Sequence, residues 1–572
     1  MKRFILLTII LIALLAACTT TPAPASTSVP FTPAVSLTPT ELSQPTAVPQ
    51  PTVIPVQPSA PISGLPQGTD GYPWWNDSVF YEIFVRSFYD STGDGLGDLN
   101  GLISKLDYLQ DLGITGLWLM PVQPASSYHG YDVTDYYSIN PDYGTLDDFK
   151  RLLAEAKKRN IRIIIDFVLN HTSREHPWFV ASQDPQSPYR EWYVWSEADP
   201  GQANWHHAEN GAYYYGYFWE GMPDLNYATP AVTKQLNDVT RFWLQEIGVA
   251  GLRLDAAKYL IEEGTVVQNS ASTHQWYQNF RPEYKKYQPD ALTIGEVWDL
   301  VSISADYAQG DQLDLTFDFD LAQAIVTGVR ARRSEGIARA FKINQNVFKP
   351  QQFGSFLTNH DQNRVVSQLA GDLDRAKLAA VIYLTGPGVP FVYYGEELGM
   401  IGRKPDEDIR TPMQWSAEKN AGFTTGTPWR MPYSDYPKKN VETQSAEPNS
   451  ILALYRQLIQ LRNQHAALRV GEYVEVQTNN PAVFAMLRVS QEEAALILVN
   501  LSQEAVTDYA LSAEASPLKP GGYHVVPMLR SDGEAEGTLM PLTCNSQGRF
   551  SSYMPLPALS PQSYLAVQLQ KS

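Results

Sequence analysis

Short apolar runs alternate with amphipathic segments from Tyr72 onward, and this alternation constrains the fold more than any other feature. The eight runs are rich in β-branched and aromatic residues and cover residues 79–85, 116–121, 161–168, 251–255, 292–296, 313–319, 354–357 and 390–394. Segments of helical period lie between them, among them residues 99–112, 145–160, 231–246 and 374–384. Parallel strands need such crossover helices. Eight β-then-α units therefore predict an α/β fold, a (β/α)8 TIM barrel over residues 72–470.

Two further units are predicted outside this repeat. The interval between the third and fourth runs is too long for one crossover helix, and residues 172–228 within it are rich in Trp, Tyr, His, Pro and Gly. We expect them to form a small inserted domain at the barrel mouth, after strand 3. Beyond the helical pattern at 451–462, period-two alternation in residues such as 473–476 and 494–501 predicts a C-terminal antiparallel β-sandwich domain over residues 471–572.

The N-terminal part of the chain has the pattern of an export segment. Lys2 and Arg3 precede an apolar run that ends at Ala17, which is typical of a signal peptide over residues 1–17. Cys18 completes a Leu-Ala-Ala-Cys sequence that resembles a bacterial lipoprotein box. We therefore expect Cys18 to carry lipid and to anchor an exported protein to the bacterial cell envelope. An ordinary cleaved signal or an uncleaved anchor is the alternative.

Residues 18–71 differ in composition from the rest of the chain. They are dominated by Pro, Thr, Ser, Ala and Val with almost no charge, which predicts an extended tether rather than a packed core. Cys544 is the only other cysteine, so a lipid on Cys18 leaves no intramolecular disulfide. Stability must then come from packing.

Charge and aromatic content narrow the possible partners. The 572 residues carry a formal net charge of −18, and an acidic surface repels phosphates, so the sequence argues against nucleic acid as a partner. A neutral ligand is indifferent to that charge. The 32 Tyr and 13 Trp residues favour sugars, whose apolar faces stack on aromatic rings, although aromatic residues also build cores. We expect a monomer.

Charged and polar residues stand where several predicted strands end. They are Asp166 and His171 for the third strand, Arg253 and Asp255 for the fourth, Glu296 for the fifth, and His360 and Asp361 for the seventh. The C-terminal ends of barrel strands share one mouth, so these side chains should converge. Singly, each fits a helix cap or a satisfied buried charge, as when Arg253 pairs with Asp255. Crowding several carboxylates costs Coulomb and desolvation energy, which favours a functional site.

Two carboxylates flanking a bond, with a third nearby, fit glycoside hydrolysis, because anions stabilise its positively charged transition state. A family resemblance points the same way. Residues 166–171, 251–258, 295–298 and 356–361 resemble, in order, the catalytic regions of glycoside hydrolase family 13, the α-amylase family. Residues 129–132, 222–226 and 395–399 are similar to further motifs of that family. The resemblance spans residues 72–470 and implies the same barrel, insertion and C-terminal domain.

The resemblance implies a role for each residue of the site. Asp255 would be the nucleophile, Glu296 the general acid/base, and Asp361 the third carboxylate, which binds the distorted sugar. The substrate-binding residues would be His129, Tyr131, Asp166, His171, Arg253, Lys258 and His360. Arg253 would keep Asp255 ionised, and Tyr131 would stack on the sugar ring. Retention of anomeric configuration would place the carboxyls of Asp255 and Glu296 about 5 to 5.5 Å apart. The pKa of Glu296 should exceed that of Asp255, because Glu296 must begin protonated.

A loop after the first predicted strand suggests a metal site. Oxygen donors recur at alternate positions, as in a calcium-binding loop. They are the side chains of Asp90, Thr92, Asp94 and Asp98 and the backbone carbonyl of Leu96. The loop is not a complete EF-hand, and a plain Asx-rich turn is the alternative. The similar loop of oligo-1,6-glucosidase-like family members binds calcium, so the resemblance implies one calcium ion.

The motifs differ on which bond is cleaved. Residues 90–98 and 410–415 resemble exo-acting oligo-1,6-glucosidases, whereas residues 256–258 resemble α-amylases. Residues 222–226 resemble a group intermediate between oligo-1,6-glucosidases and neopullulanases, which includes α-amylases. We therefore expect a hydrolase of α-1,4-bonds in starch or maltooligosaccharides. The alternatives are an exo-acting α-glucosidase or oligo-1,6-glucosidase, a transglycosylase, and a non-catalytic sugar-binding lipoprotein, the last disfavoured because all three carboxylates are present.

Overall fold

The computed structural model describes residues 68–531 and 539–572. The predicted signal peptide, Cys18 and the tether as far as residue 67 lie outside the described residues. Across the part of the chain that is described, no helix is both long and apolar enough to cross a membrane.

A parallel sheet closed into a barrel forms the largest unit. Within residues 68–531 its eight strands are Phe80–Ile83, Gly116–Leu119, Arg162–Val168, Gly251–Asp255, Leu292–Gly295, Leu315–Thr316, Gly354–Ser355 and Val389–Tyr393. The strands pair in chain order, and the eighth pairs with the first. A parallel bridge between Phe317 and Gly354 closes the ring between the sixth and seventh strands. Each predicted run overlaps one strand, which confirms the (β/α)8 barrel.

Helices surround the barrel and follow most of its strands. Over the described ranges the α-helices are Val85–Phe88, Leu99–Ser104, Leu106–Leu112, Leu146–Lys158, Pro177–Ser182, Pro230–Arg241, Ala271–Tyr287, Val301–Asp306, Phe319–Ala331, Glu335–Val347, Val365–Gln368, Leu373–Thr385, Asp406–Ile409, Val441–Ser445, Ile451–Gln464 and Ala466–Val470. The helix Pro230–Arg241 continues as a π-helix over Phe242–Ile247. The predicted segments 145–160, 231–246 and 374–384 each overlap one of these helices.

One predicted helix is interrupted. The segment 99–112 breaks at Lys105, whose amine lies 3.9 Å from the ring centre of Tyr89 and 4.5 Å from that of Trp415. Such cation–π contacts come from residues distant in sequence, so local periodicity does not contain them. By contrast, the helix Leu146–Lys158 begins with a capping box between Thr145 and Asp148, a purely local signal.

The segment before the first strand closes the end of the barrel at which the strands begin. Trp74 and Trp75 lie there in a buried apolar cluster. The indole N–H of Trp74 donates to the carbonyl of Asp290 at 2.8 Å, and that of Trp75 donates to Oε1 of Gln352 at 3.1 Å. Asp290 and Gln352 precede the fifth and seventh strands, so these bonds fasten the segment across the N-terminal end of the barrel.

A small sheet lies between the third and fourth barrel strands, within the predicted insertion. It consists, among the residues described there, of the antiparallel strands Trp195–Ser196, Trp205–His207 and Tyr213–Tyr215. The helix Pro177–Ser182 precedes it. Aromatic rings pack around this sheet, including Phe179 against Trp195 and Tyr214.

Two antiparallel sheets form the C-terminal domain. The described part of one sheet has the strand order Glu472–Glu475, Val483–Val489, Ala494–Asn500, Tyr564–Lys571, Gly521–Arg530 and Leu542–Cys544. The other, over the same described residues, contains Gln477–Thr478, Leu511–Ala513 and Phe550–Tyr553. Side chains from both sheets, such as Leu496 and Leu511, share one buried cluster. The predicted C-terminal antiparallel β domain is confirmed.

Candidate active site

The predicted carboxylates meet at the C-terminal end of the barrel. Asp255 ends the strand Gly251–Asp255, Glu296 directly follows Leu292–Gly295, and Asp361 lies in the loop after Gly354–Ser355. With His129, Tyr131, His171 and Lys258 they line a cleft of about 560 Å³. Asp166, Arg253 and His360 are buried against the residues that line it. The structure therefore brings together all ten predicted catalytic and substrate-binding residues.

Arg253 joins three of the described carboxylates. It is the register partner of Asp166 on the neighbouring strand. Its Nη1 lies 2.8 Å from Oδ1 of Asp166 and 2.7 Å from Oδ1 of Asp255, and its Nη2 lies 2.7 Å from Oε2 of Glu296. The guanidinium is fully buried, so salt screens these contacts little. One cation thus fixes the positions of Asp255 and Glu296 at once.

Burial makes Asp255 and Glu296 weaker acids than exposed carboxyls. It raises the pKa of Asp255 to about 6 and the pKa of Glu296 to about 7, although Arg253 opposes the rise in both. Arg253 therefore lowers the pKa of Asp255 without restoring its ordinary value. Glu296 keeps its proton to higher pH than Asp255, in agreement with the order predicted from the sequence.

Two cations hold Asp361 in the ionised form. Nη2 of Arg410 donates to Oδ1 of Asp361 at 2.8 Å, and Nε2 of His360 lies 3.2 Å from Oδ2. Burial would raise the pKa of Asp361, but His360 and Arg410 outweigh burial and hold this pKa well below its usual range. The anion is therefore available to stabilise positive charge in the cleft.

His171 is neutral and presents an unused nitrogen. Burial lowers its pKa to about 3. Its Nε2 is buried and has no hydrogen-bond partner within residues 68–531 and 539–572. Because His171 lines the cleft, this nitrogen can bond a ligand hydroxyl.

Tyr131 is fixed on the wall of the cleft. Its ring stacks on that of His360, with centroids 5.5 Å apart and an interplanar angle of 13°. Its hydroxyl donates to Oδ2 of Asp166 at 3.1 Å, and its backbone N–H donates to Nδ1 of His129 at 3.1 Å. A ring held at both ends in this way offers a rigid surface to a ligand.

Lys258 is directed towards the loop that follows Glu296. Its Nζ donates to the carbonyl of Trp298 at 2.8 Å and to Oδ2 of Asp299 at 3.1 Å. Lys258 therefore positions this loop as well as lining the cleft.

Further residues line the cleft beside the ten predicted ones. They are Ala256, Phe218, Trp219, Met222, Tyr259, Trp298, Asp406 and Arg410. Ala256, Met222 and Arg410 lie in the motifs 256–258, 222–226 and 410–415. Phe218 and Trp219 lie in the predicted insertion, residues 172–228. Glu82, which contacts His360, gave no signal, because it lies inside an apolar strand.

The predicted calcium loop is closed by its own hydrogen bonds. Asp90 accepts from the backbone N–H groups of Thr92, Gly93 and Gly95. These donors, with the hydroxyl of Thr424, outweigh burial and lower the pKa of Asp90.

The remaining carboxylates of this loop are also engaged. Asp98 accepts from the N–H groups of Ser91 and Gly101, and Asp94 accepts from that of Leu96. Within the described residues, no three His, Cys, Asp or Glu side chains converge as metal ligands. Asp90, Asp94 and Asp98 each accept hydrogen bonds from backbone N–H groups of the loop, and the single calcium ion there stays a prediction. The donors fit calcium in kind, since all are oxygens.

Known proteins resemble this chain over the barrel and beyond it. A family model described as "Alpha amylase, catalytic domain" matches residues 82–471, which include all ten site residues. The chain is 41% identical over 440 residues to Alpha-amylase 3 of Dictyoglomus thermophilum, covering 75% of this chain and 86% of that protein. It is 36% identical over 486 residues to the trehalose synthase/amylase TreS of Mycolicibacterium smegmatis, covering 74% and 81%.

A solved structure agrees with these relatives. The crystal structure of alpha-amylase from H. orenii superposes with a TM-score of 0.73 at 36% identity, covering 86% of this chain and 99% of that one. The chain therefore belongs to the α-amylase family, glycoside hydrolase family 13, and is a glycoside hydrolase.

Proposed function

We propose that this chain is a retaining α-glucan hydrolase that cleaves α-1,4-glucosidic bonds in starch and maltooligosaccharides. The observation that carries the proposal is the pair Asp255 and Glu296, two buried carboxyls at one cleft that share Arg253. Their pKa values of about 6 and about 7 let Asp255 ionise while Glu296 keeps its proton. A double displacement needs this combination.

In the first step, an oxygen of Asp255 attacks the anomeric carbon, and Glu296 gives its proton to the glycosidic oxygen. The bond from carbon to Asp255 forms as the glycosidic bond breaks, and the leaving sugar departs as a neutral alcohol. Asp361, held ionised by His360 and Arg410, stabilises the positive charge that develops on the sugar ring.

In the second step, the ionised Glu296 takes a proton from water, whose oxygen attacks the anomeric carbon. The bond to Asp255 breaks, and Asp255 leaves as a carboxylate while Glu296 regains its proton. Two inversions at the anomeric carbon leave the product with the configuration of the substrate.

An open cleft with exposed aromatic rings supports action within a chain. Phe218, Trp219 and Trp298 line the cleft and are 43%, 46% and 47% exposed. Rings of this kind stack on successive sugar units. The small side chain of Ala256 lines the cleft beside Asp255 and leaves space next to the bond being cleaved. We therefore favour endo action over an exo-acting α-glucosidase or oligo-1,6-glucosidase.

Transfer of the sugar to another sugar is a second candidate. The relative from M. smegmatis is named both a trehalose synthase and an amylase. The same covalent intermediate serves both reactions when a sugar hydroxyl replaces water as the acceptor. The exposed aromatic rings of the cleft favour this candidate, because they would also hold an acceptor sugar.

A product time course tests these functions. The protein is incubated with maltoheptaose, starch, isomaltose and maltose, and the products are separated by chromatography. Mixed short maltooligosaccharides at early times support the proposal. Glucose alone from every substrate, with isomaltose cleaved fastest, would overturn it in favour of an exo-1,6-glucosidase, and a new disaccharide from maltose would favour transfer.

Attachment to the bacterial cell envelope through lipid on Cys18 is part of the proposal. The Leu-Ala-Ala-Cys sequence after an apolar run supports it, and the uncharged tether 18–71 would separate the enzyme from the membrane. One calcium ion in the loop 90–98 is also proposed, on the strength of its oxygen donors. Calcium there would stabilise the loop and would take no part in the chemical steps.

A further inference from the structure

Glu82 is a carboxylate of the barrel that the proposed mechanism does not use. It lies in the first strand, Phe80–Ile83, and is 2% exposed. Its Oε1 lies 2.5 Å from Nδ1 of His360, and His360 is fully buried. A carboxylate and an imidazole therefore meet in the interior, directly beneath the cleft. The Asp361 carboxylate lies on the other side of the imidazole.

The neighbours of His360 determine where its protons are. The Tyr131 hydroxyl donates its proton to Asp166, so the Tyr131 oxygen can accept from Nε2 of His360 at 2.6 Å. Oδ2 of Asp361, which can only accept, lies 3.2 Å from the same nitrogen. Nδ1 faces the acceptor Glu82. Both ring nitrogens therefore face acceptors, and only the doubly protonated imidazolium has a proton to donate from each nitrogen.

The charges around the ring favour this state. The groups that face His360 from the elements packed against it are Glu82, Tyr131, Asp166, Arg253, Asp361 and Arg410, the last of which donates to the His360 carbonyl at 2.9 Å. Burial would lower the pKa of His360, but Asp361 and Glu82 outweigh burial and raise it to about 10. Of these two carboxylates, Asp361 also accepts a hydrogen bond from Arg410. Glu82 contacts Nδ1, the ring nitrogen that faces away from Asp361.

We infer that Glu82 is a positioning residue that keeps His360 in the imidazolium form, so that a positive charge lies 3.2 Å from Oδ2 of Asp361 throughout the catalytic pH range. The inference rests on the proposed glycosyl-enzyme chemistry, in which Asp361 must stay ionised and correctly placed. Without the negative charge of Glu82, the pKa of His360 would fall, because Asp361 alone would then oppose the effect of burial. The ring would then carry one proton instead of two and would present no positive charge to Asp361.

The variant Glu82→Gln tests this, because glutamine keeps the size and the acceptor oxygen and removes the charge. Its matched control is Glu396→Gln, which also replaces a buried glutamate but one that contacts Tyr383 and Tyr455 instead of a histidine. Rates are measured from pH 5 to pH 9 with maltosyl fluoride, whose fluoride leaves with little need for a proton from Glu296. This substrate removes the ionisation of Glu296 from the first step.

We expect Glu82→Gln to lower kcat at pH 8 by about 10- to 100-fold. The kcat of this variant should return towards the wild-type value as the pH falls. Glu82→Asp, which keeps the charge, should retain the pH profile of the wild type, as should Glu396→Gln. A Glu82→Gln profile parallel to that of the wild type would overturn the inference.

A second measurement does not depend on activity. Nitrogen-15 spectra of the histidine side chains report how many protons each ring carries, and His360→Asn identifies the signal of His360. Two ring protons on His360 of the wild type at pH 8 would support the inference, and a neutral ring at pH 7 would overturn it. A wild type inactive on every glucan would instead count against the proposed function.

Discussion

Nη2 of Arg253 lies 2.7 Å from Oε2 of Glu296, which directly follows the neighbouring strand of the barrel. The other terminal nitrogen of the same guanidinium contacts Asp255. The distance between the two carboxyls is therefore set by a rigid, planar cation before any substrate binds. Such preorganisation lets the site stabilise charge without rearranging during the reaction.

The raised pKa values predict a narrow pH optimum. Activity should rise as Asp255 ionises near pH 6 and fall as Glu296 loses its proton near pH 7, because the nucleophile must be charged and the acid protonated. Values of kcat/KM for maltoheptaose, measured across this range, should give a bell-shaped curve. Activity that stays constant up to pH 9 would contradict the assignment of Glu296 as the acid.

Removal of either carboxyl should abolish catalysis and leave the fold intact. We expect Asp255→Ala and Glu296→Gln each to lower kcat by about a thousandfold or more, because each removes a chemical step. Hydrolysis of a maltooligosaccharide and the melting temperature are measured together. Glu472→Gln, at an exposed position of the C-terminal domain, is the control. Near wild-type turnover by either active-site variant would rule out the proposed roles.

Glu396 should make stability depend on pH. Burial raises its pKa to about 8, above the ordinary value of 4.5, although Tyr383 and Tyr455 donate to it. The folded state therefore favours the protonated form, and this contribution is complete below pH 4.5 and is lost as the pH rises through about 8. We expect Glu396→Gln to be more stable than the wild type at pH 9, by about 1 kcal/mol or more, with a smaller difference at pH 5. A difference in melting temperature between Glu396→Gln and the wild type that is the same at pH 5 and pH 9 would contradict this.

Calcium should raise the melting temperature through the loop 90–98, by binding the folded state. The variant Asp94→Asn is informative because Oδ1 of Asp94 accepts a hydrogen bond from Leu96, which asparagine preserves. We expect this variant to melt like the wild type in chelator but to gain less stability from calcium. A wild-type melting curve that is identical in calcium and in chelator would show that the hydrogen bonds of the loop suffice.

Cys18→Ser should release the protein from the membrane fraction. A single acyl chain binds membranes weakly, whereas the several chains of a bacterial lipoprotein anchor it stably. Fractionation of cells that express the full chain measures the distribution. Wild-type protein that is already soluble would contradict the anchor.

The barrel was predictable because its signals are local. Each strand is a short apolar run, and Asp255 and Glu296 were found because they stand where two such runs end. Glu82 was missed because its partner His360 is 278 positions away and its own neighbours are apolar. Arg410, 49 positions from Asp361, was seen as part of a motif, but its contact with Asp361 was not predicted. Side-chain pairs of this kind form only when the barrel closes, and they produce no periodic pattern in the local sequence.

The segment with Trp74 and Trp75, fastened to Asp290 and Gln352, places the start of the described chain at the end of the barrel opposite the cleft. Material joined to the protein before Gly68 therefore enters the folded domain far from the bond being cleaved. For immobilisation on a solid support, coupling directly before Gly68 would therefore keep the point of attachment away from the cleft.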